Sequence, residues 1–146
     1  MVHGFGETLF LPRMLKTFRP LRLFQWCMKK TLVLGATPNS ARYAYLATLK
    51  LLQYGHEVVP VGIRTGEIGG VPIQNGQPPV SDVDTVTLYL GPERQAAYLD
   101  YILSLKPKRI VFNPGTENPV LAQLARAHHI ETVEGCTLVM LSIGTY

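Results

Sequence analysis

Cysteine is scarce in this sequence: only Cys27 and Cys136 occur in 146 residues. Two thiols make neither a disulfide framework nor a cysteine metal cluster, and a reducing, cytoplasmic setting is the default. Long apolar runs are missing too. None approaches the ~20 residues that a membrane-spanning helix needs, so no membrane partner is expected. Even the net charge of +4 misleads, because residues 1–30 hold Arg13, Lys16, Arg19, Arg22, Lys29 and Lys30 against Glu7 alone. That segment carries +5, and the other 116 residues sum to −1. A body so near neutral offers no broad footprint for a phosphate backbone, which argues against nucleic-acid binding. The length that remains suits one domain with a sizeable core.

Residues 1–27 carry little periodic pattern. Phenylalanines and leucines are scattered among arginines, and Pro12 and Pro20 break any long helix. A second in-frame methionine, Met28, stands directly before Lys29-Lys30-Thr31. An over-called gene start, a transit peptide and a basic membrane-surface arm all fit this composition. The first is favoured, with disorder expected for residues 1–27 and a folded domain over 28–146.

From Met28 onward, strand-like and helix-like stretches alternate. Strands are predicted at Thr31–Leu34, Glu57–Val61, Asp84–Leu90, Arg109–Phe112 and Ile130–Glu134. Helices are predicted at Ala41–Gln53, with Leu46, Leu49, Leu52 and Tyr45 on its apolar face, from Pro92 through Leu105, and at Glu117–His128. Thr65–Pro79, rich in Gly, Pro, Gln and Asn, reads as a long loop with at most a short extended piece at Val71-Pro72-Ile73. Strands joined by helices of this length pair in parallel through right-handed crossovers. The expected fold is therefore α/β, a doubly wound, mainly parallel five-stranded sheet of Rossmann type.

In such sheets ligands lie beyond the C-terminal strand ends. The stretch Thr31 to Arg42 is a strand, a small turn at Gly35-Ala36-Thr37, and a helix start carrying Arg42 and Tyr45. Unpaired amides and the helix dipole make that unit an anion site. Gly35 permits close approach of a pyrophosphate, Thr37 or Ser40 can cap the helix or bind an oxygen, and Arg42 adds a planar charged fork. The full G-x-G-x-x-G fingerprint is absent. An NAD-binding sheet usually ends its second strand in a carboxylate for the ribose 2′-hydroxyl; here Val61-Gly62-Ile63-Arg64 follows instead. Arg64 points to an extra ribose phosphate, as in NADP or coenzyme A, the alternative being a solvated loop charge.

Taken together, LVLGATPNSARYAY, PVGIR, YLGPE, NPGTEN and EGC make the chain from Met28 to about Leu141 resemble the stand-alone CoA-binding-domain proteins, Rossmann domains similar to the N-terminal domain of succinyl-CoA synthetase α-subunits. The resemblance implies coenzyme A or an acyl-CoA as cofactor. It places Gly35, Ala36 and Thr37 in the phosphate turn, with Arg42 and Tyr45 after it. Arg64 matches the basic residue after the second strand, Tyr89 and Pro92 the aromatic and proline after the third, Gly115 the glycine after the fourth, and Cys136 the cysteine after the fifth. Val61, Gly62, Leu90 and Asn113 complete the expected contact set. Departures are Gly62-Ile63 for the usual Asn-Pro, Leu90-Gly91 for a commonly basic pair, and Asn113 where Gln is frequent.

No catalytic set emerges. Cys136 is the one candidate nucleophile, yet no histidine or lysine is placed to activate it. His56, His128 and His129 fall at helix ends or a strand entrance, and Asp82, Asp84, Glu117 and Glu134 at element boundaries. No metal site is expected. A non-enzymatic small-molecule binding module is the leading expectation. An NADP-dependent reductase and an interaction protein with a degenerate pocket are the rivals, and edge-strand pairing of two copies would make a homodimer.

Overall fold

The computed structural model describes residues 28–146; the disorder expected for residues 1–27 lies outside the described residues. Five strands form one parallel sheet in the order β2-β1-β5-β6-β7: β1 (Thr31–Leu34), β2 (Val58–Val61), β5 (Thr85–Leu88), β6 (Arg109–Phe112) and β7 (Glu131–Glu134). Registers run straight across, Val33 beside Pro60 and Thr87, and Thr87 beside Val111. The first four are buried at every position, because helices cover both faces. Edge strand β7 is only half covered.

Alternation along the strands feeds two cores. Leu32, Leu34, Val86, Leu88, Ile110 and Phe112 face one side, which carries α2 (Pro92–Gln95), a 3₁₀ turn (Ala96–Tyr98), α3 (Leu99–Ser104) and α4 (Pro119–Ala127). Val33 faces the other, with Ala44 and Leu51 of α1 (Tyr43–Gln53) and Leu141 of α5 (Thr137–Ile143). The chain winds one way from β1 to β2 and the other way from β5 to β7, so the direction reverses between β1 and β5.

Several boundaries differ from expectation. The α1 helix buries Ala44, Ala47, Thr48 and Leu51 rather than the leucine face. Small residues let it sit close to the sheet, and the Thr48 hydroxyl donates back to Ala44 O at 2.8 Å. Leu46 remains 40% exposed. Leu49 and Leu52 instead pack sideways at Gly69, in an antiparallel hairpin of β3 (Glu67–Ile68) and β4 (Val71–Pro72) that occupies the expected loop. The helix after Pro92 is interrupted by the 3₁₀ turn, and α5 follows Cys136 where no element was anticipated.

Tyr146 returns beneath the N-terminal ends of the strands. Its hydroxyl pairs with Thr31 Oγ1 at 2.8 Å, and the buried Arg109 guanidinium lies 4.4 Å from its ring centroid and donates to its backbone oxygen at 2.9 Å. The His56 ring meets it edge-on at 5.2 Å and accepts the Lys29 amide at 2.9 Å.

Candidate functional site

At the reversal point, the chain leaving β1 turns at Gly35, whose φ of +102° is one that side-chain-bearing residues avoid. A β-carbon there would lie 2.9 Å from the Tyr89 carbonyl carbon and oxygen and 3.2 Å from Leu90 Cδ2. The β1 and β5 exits thus touch across the crevice. The amides of Gly35 and Ala36 both donate to Val61 O at 2.9 Å, fastening the turn to the end of β2.

Of the two roles open to Thr37 and Ser40, the helix cap is not taken: neither caps α1. Thr37 Oγ1 accepts from the Asn39 amide at 3.3 Å, and Asn39 Oδ1 accepts from Ala41 at 3.0 Å. Arg42 is the N-cap residue and makes no side-chain cap. The amides of Tyr43 and Ala44 therefore open the helix without a partner among the described residues, an arrangement that attracts an anion.

The β2 exit presses against the same turn. A β-carbon on Gly62 would meet Ala36 O at 2.0 Å, and one on Gly66 would meet Pro38 Cβ at 2.8 Å. Arg64 lies between these two glycines, exposed, on a loop held from behind by Ile73 and Asn75: the Ile73 amide donates to Gly66 O at 2.8 Å and Asn75 Nδ2 to Gly62 O at 2.7 Å. Gly35, Ala36, Thr37, Gly62, Tyr89 and Leu90 thus gather around one crevice, with the loop that carries the exposed Arg64 at its edge and Arg42 exposed at the helix start. Tyr45 is half-buried against the α1-side core. Val61 is fully enclosed, so what it gives the turn is its carbonyl.

Further along the rim, Asn113 is a cross-link. Its Nδ2 donates to Thr87 Oγ1 at 2.7 Å and Leu88 O at 2.8 Å, and its Oδ1 accepts the Thr137 amide at 2.8 Å. Gly115, with φ +90°, donates its amide to Glu117 Oε1 at 2.9 Å. Cys136 is half-buried at the N-cap of α5. No hydrogen bond joins its sulfur to a histidine or lysine among the described residues.

Beside it, the Thr87 and Thr137 hydroxyls pair with each other at 2.8 Å, and the enclosed Tyr89 Oη, which lies close to both, makes no hydrogen bond of good geometry among the described residues. Burial pushes that phenol well above its ordinary value of 10.0. Sequence reasoning missed this threonine pair, and it missed Gln95, which is fully buried. Only Asn118 carried a readable signal: an Asn before Pro119 is a natural helix cap, and its Oδ1 accepts from Val120 and Leu121 at 3.2 and 3.3 Å.

Two clefts lie away from this rim. One of about 570 Å³ sits at the opposite end of the sheet among Lys30, Glu57, Asp84 and Lys108, and one of about 620 Å³ lies beside Tyr101. The first is lined by the lysine–carboxylate pairs Lys30–Glu57 and Lys108–Asp84, at 3.5 and 3.9 Å. At the strand-end crevice a glycine turn, open helix amides and the loop carrying Arg64 meet. Among the described residues no three His, Cys, Asp or Glu side chains are grouped to hold a metal ion, and no helix is long and apolar enough to cross a membrane.

The sequence profile of the CoA binding domain matches residues 29–142. The chain belongs to the CoA-binding domain family. A crystal structure of an uncharacterized protein is 57% identical, with a TM-score of 0.81, over 82% of this chain and 99% of its own. The Thermus thermophilus protein described as cell-free ID.343 shares 20% identity and a TM-score of 0.72 over 88% of this chain and 98% of its own. The dinucleotide-forming acetyl-coenzyme A synthetase 1 of Ca. Korarchaeum cryptofilum, solved with phosphate and ADP, aligns at 17% identity and a TM-score of 0.60. That alignment covers 73% of this chain and 25% of the synthetase. Comparison with curated protein sequences gave no match. At this identity the last two likenesses speak for the Rossmann-like fold alone, and membership of the CoA-binding domain family supports CoA binding in general.

Proposed function

We propose that the protein is a non-catalytic module that holds coenzyme A or an acyl-CoA by its 3′-phospho-ADP half. The observation that carries this reading is the packing of Gly62 on Ala36, which sets the Arg64 loop directly beside the phosphate turn. The diphosphate lies over Gly35, Ala36 and Thr37 against the amides of Tyr43 and Ala44, with Arg42 at hand. The ribose phosphate faces Arg64. Leu90 and the 84% exposed Ile63 offer apolar surface to the adenine. An arginine where NAD-binding sheets carry a carboxylate favours a phosphorylated ribose, and Cys136 without a bonded base supports a binding role rather than covalent chemistry.

Calorimetric titration with coenzyme A, dephospho-coenzyme A, NADP and NAD tests it. Coenzyme A is expected to bind most tightly, with dephospho-coenzyme A at least about tenfold weaker, the loss of one charge-assisted contact. Preference for NADP together with hydride turnover would favour a reductase, and no heat with any of the four rejects the nucleotide reading.

A further inference from the structure

Gln95 is fully buried at the end of α2, and each half of its amide is engaged. Its Nε2 donates to Leu90 O and to Thr116 O, both at 2.8 Å, while its Oε1 accepts from Asn118 Nδ2 at 2.9 Å. The orientation is forced. Asn118 Oδ1 takes two amides of the first turn of α4, so its Nδ2 must donate, and two backbone carbonyls face the other end of Gln95. A directional relay thus runs from the start of α4 through Asn118 and Gln95 to the loops leaving β5 and β6. Leu90, tied at its carbonyl, reaches over the Gly35 turn with its side chain.

We propose that Gln95 is a positioning residue for ligand binding: its buried carboxamide fixes the spacing of the β5 and β6 exit loops and thereby the width of the crevice over Gly35. The buried Thr116 carbonyl and the part-buried Leu90 carbonyl are held on one nitrogen, and the loop pair is set before any ligand arrives. This rests on the nucleotide reading above.

The test is Gln95→Glu, of nearly identical shape, compared with Gln95→Met and the wild type in coenzyme A titrations across pH, with circular dichroism as the folding control. A glutamate carboxylate would face the Leu90 and Thr116 carbonyls and open the loops. Protonated, it can donate to one of them and accept from Asn118. Affinity of Gln95→Glu is therefore expected to fall about tenfold at neutral pH and to recover on acidification, while Gln95→Met is weakened about tenfold at every pH. The exposed Glu93, Arg94 and Glu117 nearby are common to all three proteins, so their titration cancels. Wild-type affinity at all pH in a folded variant overturns the proposal, and so does failure of both variants to fold, which would make Gln95 a stability residue only. If the wild type binds no coenzyme A, the nucleotide reading fails. The loop claim is then judged from the backbone amide resonances of Gly91 and Gly115 in Gln95→Glu, which must shift with pH or the proposal is wrong.

Discussion

Gly62 and Ala36 are packed backbone to backbone: a β-carbon on the glycine would stand 2.0 Å from the alanine carbonyl oxygen. No rotamer relieves that contact, since it involves the first side-chain atom and a main-chain oxygen. Either the β2 exit or the phosphate turn has to move. Gly62→Ala is expected to cost about 3 kcal/mol in urea denaturation and to weaken coenzyme A binding more than tenfold. A variant of unchanged stability and affinity would mean that the two loops do not meet in solution.

Arg64 is exposed and forms no ion pair among the described residues, so its removal should leave stability within ~0.5 kcal/mol. Arg64→Ala is expected to weaken coenzyme A about tenfold and dephospho-coenzyme A hardly at all. Equal losses for both ligands would move the ribose phosphate elsewhere.

His56 is held below its ordinary value of 6.5, first by burial and then by the positive charges of Lys29 and Arg109, against a smaller opposing effect of Asp84. The unfolded chain therefore takes up the proton more readily than the folded one. Stability from this site is complete above about pH 6.5 and is lost as pH falls through that value towards the lower folded one. His56→Gln should flatten that part of the curve in chemical denaturation followed across pH. A wild-type curve that does not slope downward below 6.5 would contradict the buried neutral imidazole.

The buried Tyr89 hydroxyl lies close to the Thr87 and Thr137 hydroxyls but makes no hydrogen bond of good geometry among the described residues, and an unsatisfied buried polar atom costs the fold about 1–3 kcal/mol. Tyr89→Phe should be neutral or stabilising by up to ~1 kcal/mol in thermal unfolding, without loss of coenzyme A affinity. Marked destabilisation would reveal a bond that the phenol makes.

Element order and sheet type were legible in the chain because they depend on local patterns: apolar runs of four to seven residues, punctuated by glycine and proline, can satisfy both faces only in a parallel sheet covered by helices. Helix faces were less legible. The leucines of α1 looked like its core stripe, yet Ala44 and Ala47 are what let the helix approach, and the hairpin that covers Leu49 comes from a stretch with no apolar periodicity of its own. The final helix, α5, went unread because its N-cap residue, Cys136, makes no side-chain cap; the Thr137 amide is taken instead by Asn113, from the distant β6 exit.

By itself, the sequence determined the winding of the fold, the glycine bend at 35 and the arginine after β2, because turn chemistry and strand punctuation act between near neighbours. Only the tertiary structure decided that Gly62 is a contact rather than a hinge, that Asn113 joins strand ends to α5, and that Gln95 joins two loops. Those roles depend on which carbonyls arrive from distant parts of the chain, and a buried amide is defined by the partners that folding brings to it.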